Sequence, residues 1–207
     1  MNIPQRLFIS FDTIMYLSEK YNIQWWFPLH VGSTVTRFLL EKVGFIPHRG
    51  QHPIDPGIDY DIIVNVRNPY TLAVSMWKNN LSKLDGMSFS DFIRTYKGEY
   101  PFYHNLSEID YVEHSKDRMD KLKKIVHQET LYEDLISLDF IWDNRDLIKE
   151  DLKKIETVKT FKRNEYFHHL PLSEIYTDEL ADIVYTHRKK FFDFGGYDSD
   201  SWKYLIY

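Results

Sequence analysis

The chain has 207 residues, of which 43% are apolar and 16% aromatic, enough for one domain with a sizeable core. Its formal net charge of −5 argues against a general nucleic-acid binder, which carries a basic excess. It contains no cysteine, which excludes disulfides, thiolate metal sites and cysteine nucleophiles.

The opening stretch MNIPQRLFISFDTIMYLSEKYNIQ has short apolar runs broken by Asp12, Glu19 and Lys20, so it lacks the layout of a signal peptide. No run reaches the ~20 apolar residues that a membrane helix needs. These features predict a soluble cytoplasmic protein with no membrane span. Ile23 to Phe27 reads as a buried strand, aromatic and β-favouring. Gly32 ends it. Thr34 to Val43 reads as a helix, with Val35, Phe38 and Leu39 on one face. Residues 48–61, HRGQHPIDPGIDYD, are the richest in turn residues and predict an ordered loop.

DIIVNV, residues 61–66, is a second buried strand. Asn68-Pro69 follows, a helix cap with proline at the first helical position, and predicts a helix to about Asn80. Residues 88–96, SFSDFIRTY, open another helix with Ser88 or Ser90 as its cap. KIVHQ, residues 124–128, is a third strand. Helices are expected around 132–138 and 145–155. A last long one runs from about Asp178 to Phe192, with Leu180, Ile183, Val184, His187 and Phe191 on its apolar face. His187 there reads as a core histidine. Strands separated by helices predict an α/β fold with a mainly parallel sheet, in one domain over residues 1–207.

Two of the strand ends carry anion-binding chemistry. In FPLHVGSTVTRFLL, residues 27–40, a strand runs into a tight turn and a helix. The first helical N–H groups lack intrahelical partners, and the helix dipole adds positive charge there. Gly32 allows close backbone approach, and Ser33, Thr34 and Thr36 add hydroxyl donors. In VNVRNPYTLAVSMW, residues 64–77, Arg67 stands at a strand end with Ser75 two helical turns on. An arginine and a hydroxyl so placed can grip one phosphate from two sides. An ordinary capped helix start and a surface arginine are the plain alternatives for each segment alone. The pair suits a nucleotide with phosphates at both ends.

These segments resemble the PAPS-dependent sulfotransferases. SEKYNIQWWFPLHVGSTVTRFLL is similar to their 5′-phosphosulfate loop, a strand leading into P-K-x-G-[ST]-T, and VRNPYTLAVS to their 3′-phosphate segment, R-[DN]-P-x-x-x-x-x-S. QETLYEDL (128–135), FKRN (161–164) and FFDFGGYD (191–198) resemble three later family segments in the same order. The resemblance spans roughly residues 17–198 and is nearest to short carbohydrate-type members. It implies a P-loop-like three-layer fold with 3′-phosphoadenosine 5′-phosphosulfate as co-substrate and no metal. Gly32, Ser33, Thr34, Val35 and Thr36 would cradle the phosphosulfate, and Arg67 and Ser75 would hold the 3′-phosphate. Lys162 or Arg163 would add a further phosphate contact. His30 occupies the usual lysine position and would serve as the cation there. Leu72 stands where many members carry a second arginine.

Sulfuryl transfer to a hydroxyl calls for a general base, and histidine suits that role at neutral pH. His52, directly before Pro53, is the first candidate and His48 the second, with two solvated loop histidines as the alternative. His104 resembles a family histidine near the acceptor cleft, and a loop-holding role is an equal alternative. The adjacent His168 and His169 lack a carboxylate at a metal-site spacing. Glu133 and Asp134 diverge as neighbours and read as a helix N-terminal acidic pair. The run 114–124 reads as a solvated helical face. Trp25 and Trp26 read as core residues on opposite strand faces. The expected acceptor is a small molecule or glycan hydroxyl. A non-catalytic nucleotide-binding module on the same fold is the alternative, favoured by His30 in place of lysine. A small-molecule P-loop kinase is a further one, disfavoured by the missing G-K-[ST].

Overall fold

The computed structural model describes residues 14–27, 33–48, 59–97, 118–158 and 170–207. Among these, five strands form one mixed sheet flanked by helices, in the order β3-β1-β2-β4-β5. The strands are β1 (Ile14–Ser18), β2 (Ile23–Phe27), β3 (Ile46–His48), β4 (Asp61–Val66) and β5 (Leu122–His127). The helices are α1 (Ser33–Lys42), α2 (Pro69–Asn79), α3 (Phe89–Tyr96), α4 (Leu131–Ile136), α5 (Asp139–Asp143), α6 (Lys149–Val158), α7 (Leu172–Ile175) and α8 (Asp178–Gly195). None of the described helices is long and apolar enough to cross a membrane.

The sheet is only half parallel. β2 pairs with β4, and β4 with β5, in parallel; β1 pairs with both β2 and β3 antiparallel. The mainly parallel sheet expected from the sequence is thereby corrected, because β1 and β3 escape the periodicity. IMYLS is a five-residue run without the apolar–polar alternation that marks a half-buried strand. Ile-Pro-His is three residues long and contains Pro47, which a sheet tolerates only where no ladder N–H is required, as at an edge. The β1–β2 hairpin turns through Asn22 at φ 57, a left-handed position that asparagine tolerates.

Alternation along the strands sends side chains to two cores. Tyr16, Ile23, Trp25, Phe27 and Ile63 lie on one face, packed with α1, α4, α5 and α6. Met15, Trp26, Ile62, Val64 and Val66 lie on the other, against Phe191 of α8. Trp25 and Trp26 are both fully buried, on opposite faces, as period two requires. The Trp25 indole N–H is satisfied inside the sheet by Asn65 Oδ1 at 2.6 Å. A third core joins α2, α3 and α8 through Tyr70, Phe92, Tyr176 and Phe192.

The caps follow the sequence. Asn68 accepts the Tyr70 N–H ahead of Pro69, and Ser88, not Ser90, accepts the Asp91 N–H at the start of α3. The apolar face of α8 differs from the expected one. Leu180, Val184 and Phe191 are buried, but His187 is only half-buried and Arg188 takes the core position. The Arg188 guanidinium reaches the Met76 sulfur at 3.9 Å. A count of apolar residues passes over an arginine whose methylene stem packs like a hydrocarbon.

Candidate functional site

Three strand–helix connections open on one edge of the sheet, because β2, β4 and β5 run the same way. β2 leads to α1, β4 to α2, and β5 to α4. The second and third are described in full and meet at one carboxylate. Glu129, two residues past β5, accepts the Asn68 backbone N–H at 2.9 Å and the Thr71 hydroxyl at 3.1 Å through Oε1. Its Oε2 accepts the Tyr197 hydroxyl at 3.0 Å. Burial first, and then the Glu129 charge, push the Tyr197 hydroxyl far above its ordinary pKa, so it remains a donor.

Arg67, in the β4–α2 turn, donates from Nε to Thr71 Oγ1 at 3.0 Å. Thr71 is thus the link between the arginine and Glu129. Ser75 follows Thr71 by four residues on the same side of α2 and is buried. Its Oγ accepts from Asn79 Nδ2 at 3.4 Å. Further along that side, Lys78 Nζ lies 4.6 Å from the ring centroid of Tyr207, and the Arg67 guanidinium lies 5.5 Å from the same centroid.

The segment after α8 locks this turn. Gly196 adopts φ 66 and the Tyr197 N–H returns to the Phe192 carbonyl, a helix stop that swings Tyr197 toward Glu129. Two residues on, the Ser199 carbonyl accepts the Tyr70 hydroxyl at 2.6 Å, and Ser201 Oγ accepts from Asn68 Nδ2 at 2.8 Å. β5 is tied to the same segment: His127 Nε2 donates to the Gly195 carbonyl at 2.9 Å, while Nδ1 faces Asp134 Oδ2 at 3.2 Å.

Asp134 also takes the His127 backbone N–H, the Thr130 hydroxyl and Lys124 Nζ. Burial alone would raise its pKa, but the His127 N–H and the Lys124 and His127 side chains outweigh burial and hold the carboxyl below its ordinary value. It is a structural tie in the first turn of α4, as its place in the YEDL segment suggests.

The sequence-derived candidates fall into four groups. Arg67 and Ser75 share one side of the β4–α2 unit. Ser33, Thr34 and Val35 form the first turn of α1, with their side chains outside the described residues, and Thr36 is fully buried. His30, Gly32, His52, Lys162 and Arg163 lie outside the described residues, as do His104, His168 and His169. His48 ends β3, half-buried. Through Met15 and Trp26 it stands level with Val64 of β4, near the edge where the connections open. Two strands separate it from β4, so at about 4.8 Å per step it is roughly 14 Å from that strand and nearer β2.

Glu129, Tyr197, Lys78 and Tyr207 did not emerge as candidates from the sequence. Lys78 is legible in retrospect, since 71, 75 and 78 follow helical spacing. Glu129 lies one residue further past the end of β5 than Arg67 does past the end of β4. Nothing local marks Tyr207, which reaches the site only through tertiary packing. Among the described residues no group of three or more His, Asp or Glu side chains is placed to hold a metal ion. Comparison of the chain with family models, curated proteins and solved structures finds no match.

Proposed function

We propose that the chain is a PAPS-dependent sulfotransferase on a P-loop-like fold, transferring the sulfuryl group to a hydroxyl, with a carbohydrate as acceptor. One observation carries the reading. β2 and β4 are adjacent and parallel, so the start of α1 and the Arg67–α2 turn follow neighbouring strand ends on one edge of the sheet. A helix start after one strand and an arginine turn after the next would suit a nucleotide with charge at both its 5′ and 3′ positions. Arg67 and Ser75 would take the 3′-phosphate, with Gly32 to Thr36 at the phosphosulfate. In the transfer, the bond from sulfur to the phosphate oxygen breaks as the acceptor oxygen bonds to sulfur. The acceptor proton passes to a base, for which His52 is the first candidate and His48 the second. His30 would meet the charge growing on the leaving phosphate oxygen.

The donor reading is tested by thermal unfolding with adenosine 3′,5′-bisphosphate. At 100 times its dissociation constant the ligand should add about 2.7 kcal/mol. Arg67→Ala should remove most of that gain, and ATP, lacking a 3′-phosphate, should give less. Equal shifts with ATP and the bisphosphate would overturn the reading. Transfer of labelled sulfate to a panel of sugars separates an enzyme from a nucleotide-binding module. In that assay His52→Ala should lower turnover by roughly 10²–10⁴-fold with donor affinity unchanged.

A further inference from the structure

A second arginine stands near the open edge of the sheet, and the family resemblance gives it no role. Arg37 lies one turn past Ser33, the first residue of α1, and is half-buried. Its guanidinium lies over the Phe27 ring at the end of β2, 5.8 Å from the centroid. Its Nε is buried and has no hydrogen-bond partner. Glu41, one turn further along α1, accepts the Tyr16 hydroxyl at 2.7 Å instead. Burial first, and then that bond, push the Tyr16 hydroxyl up to about 12, so it remains a neutral donor. Burial lowers the Arg37 pKa, and Tyr16 and then Glu41 oppose burial through charge alone, without a hydrogen bond. A guanidinium is all donor, with five N–H groups, and donors left unpaired away from water are costly. The argument rests on those donors, since the Glu41 charge already offsets part of the Arg37 charge.

The place of Arg37 in the sheet order says which ligand it faces. β4 lies on one side of β2, and β1 and β3 lie on the other. A nucleotide reaching from the start of α1 to the Arg67 turn follows the β4 side. Arg37 stands over the β1 side, beside Phe27 and Tyr16, whose rings meet edge to face at 5.9 Å. His48, at the end of β3, is on that side as well. We propose that Arg37 holds the carboxylate of an acidic sugar acceptor, and so selects glycans bearing a uronic acid over neutral ones. A planar guanidinium meets the two oxygens of a carboxylate with two parallel N–H bonds. Tyr16 acts as a positioning residue, because its bond keeps the competing Glu41 carboxylate one turn away from the edge. The proposal rests on the sulfotransferase reading for its acceptor and adds the charge of that acceptor.

The test is calorimetric titration of the full chain, first with adenosine 3′,5′-bisphosphate and then, in its presence, with two saccharides. One is an unsulfated tetrasaccharide containing glucuronic acid, and the other is its methyl ester, equal in size and without the charge. Wild type should bind the acid about ten- to a hundred-fold tighter than the ester, the size of a charge-assisted contact. Arg37→Met keeps an apolar stem and should erase that preference while leaving bisphosphate affinity unchanged. Arg37→Lys keeps the charge without the fork and should retain part of the preference. Equal losses in the Met and Lys variants, or a preference that survives in Arg37→Met, would overturn the contact. Weakened bisphosphate binding in Arg37→Met would place the arginine on the donor and overturn its acceptor role. A wild-type chain that binds the bisphosphate but does not tell acid from ester would overturn the proposal and leave the sulfotransferase reading intact. Arg37-dependent binding of the acid by a chain that ignores the bisphosphate would uphold the contact and overturn that reading.

Discussion

The position of Tyr197 depends on a glycine beside it. A Cβ placed on Gly195 would lie 2.5 and 2.7 Å from two carbons of the Tyr197 ring, closer than side-chain atoms approach one another. Any larger residue must push that ring, and with it the hydroxyl that Glu129 accepts. Gly195→Ala should therefore cost about 1–3 kcal/mol, the usual penalty for overpacking. Urea unfolding measures it, and a cycle with Tyr197→Leu identifies the cause: the alanine should cost much less once the ring is gone. Additive effects would mean that Gly195 acts through something other than Tyr197. The resemblance drew attention to FFDFGGYD as a segment, but the need for glycine at 195 is a steric fact: the Tyr197 ring closes over its Cα after the helix stop.

Between elements, the β5–α4 connection depends on Asp134, which gathers the His127 backbone N–H together with the Lys124, Thr130 and His127 side chains. Its carboxyl is held below the ordinary value, so its contribution is complete above the ordinary pKa of about 4 and is lost as pH falls through the lower native one. Asp134→Asn should cost about 1 kcal/mol or more at pH 7, where a charge-accepting partner is replaced by a neutral one. The gap between variant and wild type should close as the solution is acidified below pH 4. Chemical unfolding of both chains from pH 7 to pH 3 gives that difference, and a gap that stays constant would mean the carboxylate charge is immaterial. The starts of α2 and α3 were legible from capping chemistry that needs no tertiary partner: Asn68-Pro69 marks the first, and the second was narrowed to Ser88 or Ser90. The acidic pair of YEDL was legible as a helix start, whereas the donors that Asp134 collects from β5 were not.

Across the whole molecule, α8 is the element that joins two cores. Phe191 packs with Met15, Trp26 and Val64 on the sheet, while Phe192 packs with Tyr70 and Tyr176 in the helical cluster. Phe191→Ala should lower stability by about 3–5 kcal/mol, the range for opening a large buried cavity. Trp142→Ala is the control, since Trp142 is 52% exposed, and should stay within about 0.5 kcal/mol of wild type. Equal, small effects in both would show that α8 is not held by this contact. The same helix carries the stop at Gly196, so the residues that stabilise its packing also deliver Tyr197 to the edge where Arg67 and Glu129 meet.

The sequence by itself determined the strands β2, β4 and β5, the cap of α2, the burial of Trp25 and Trp26, and the placing of Arg67 at a strand end. Each of these is set within a window of a few residues, where periodicity and backbone hydrogen-bonding chemistry decide the conformation. Tertiary structure decided the rest. β1 exists as a strand because it pairs with β2 and β3, and β3 because it pairs with β1; ladder bonds to distant chain are invisible in a local pattern. Arg188 is buried because Met76 and the α2–α8 packing receive it, against the hydropathy of its own residue type. Glu129, Tyr197, Lys78 and Tyr207 converge on the turn after β4 from chain positions far apart in sequence. Only the packing of β5, α2 and the segment after α8 brings those side chains within reach of Arg67.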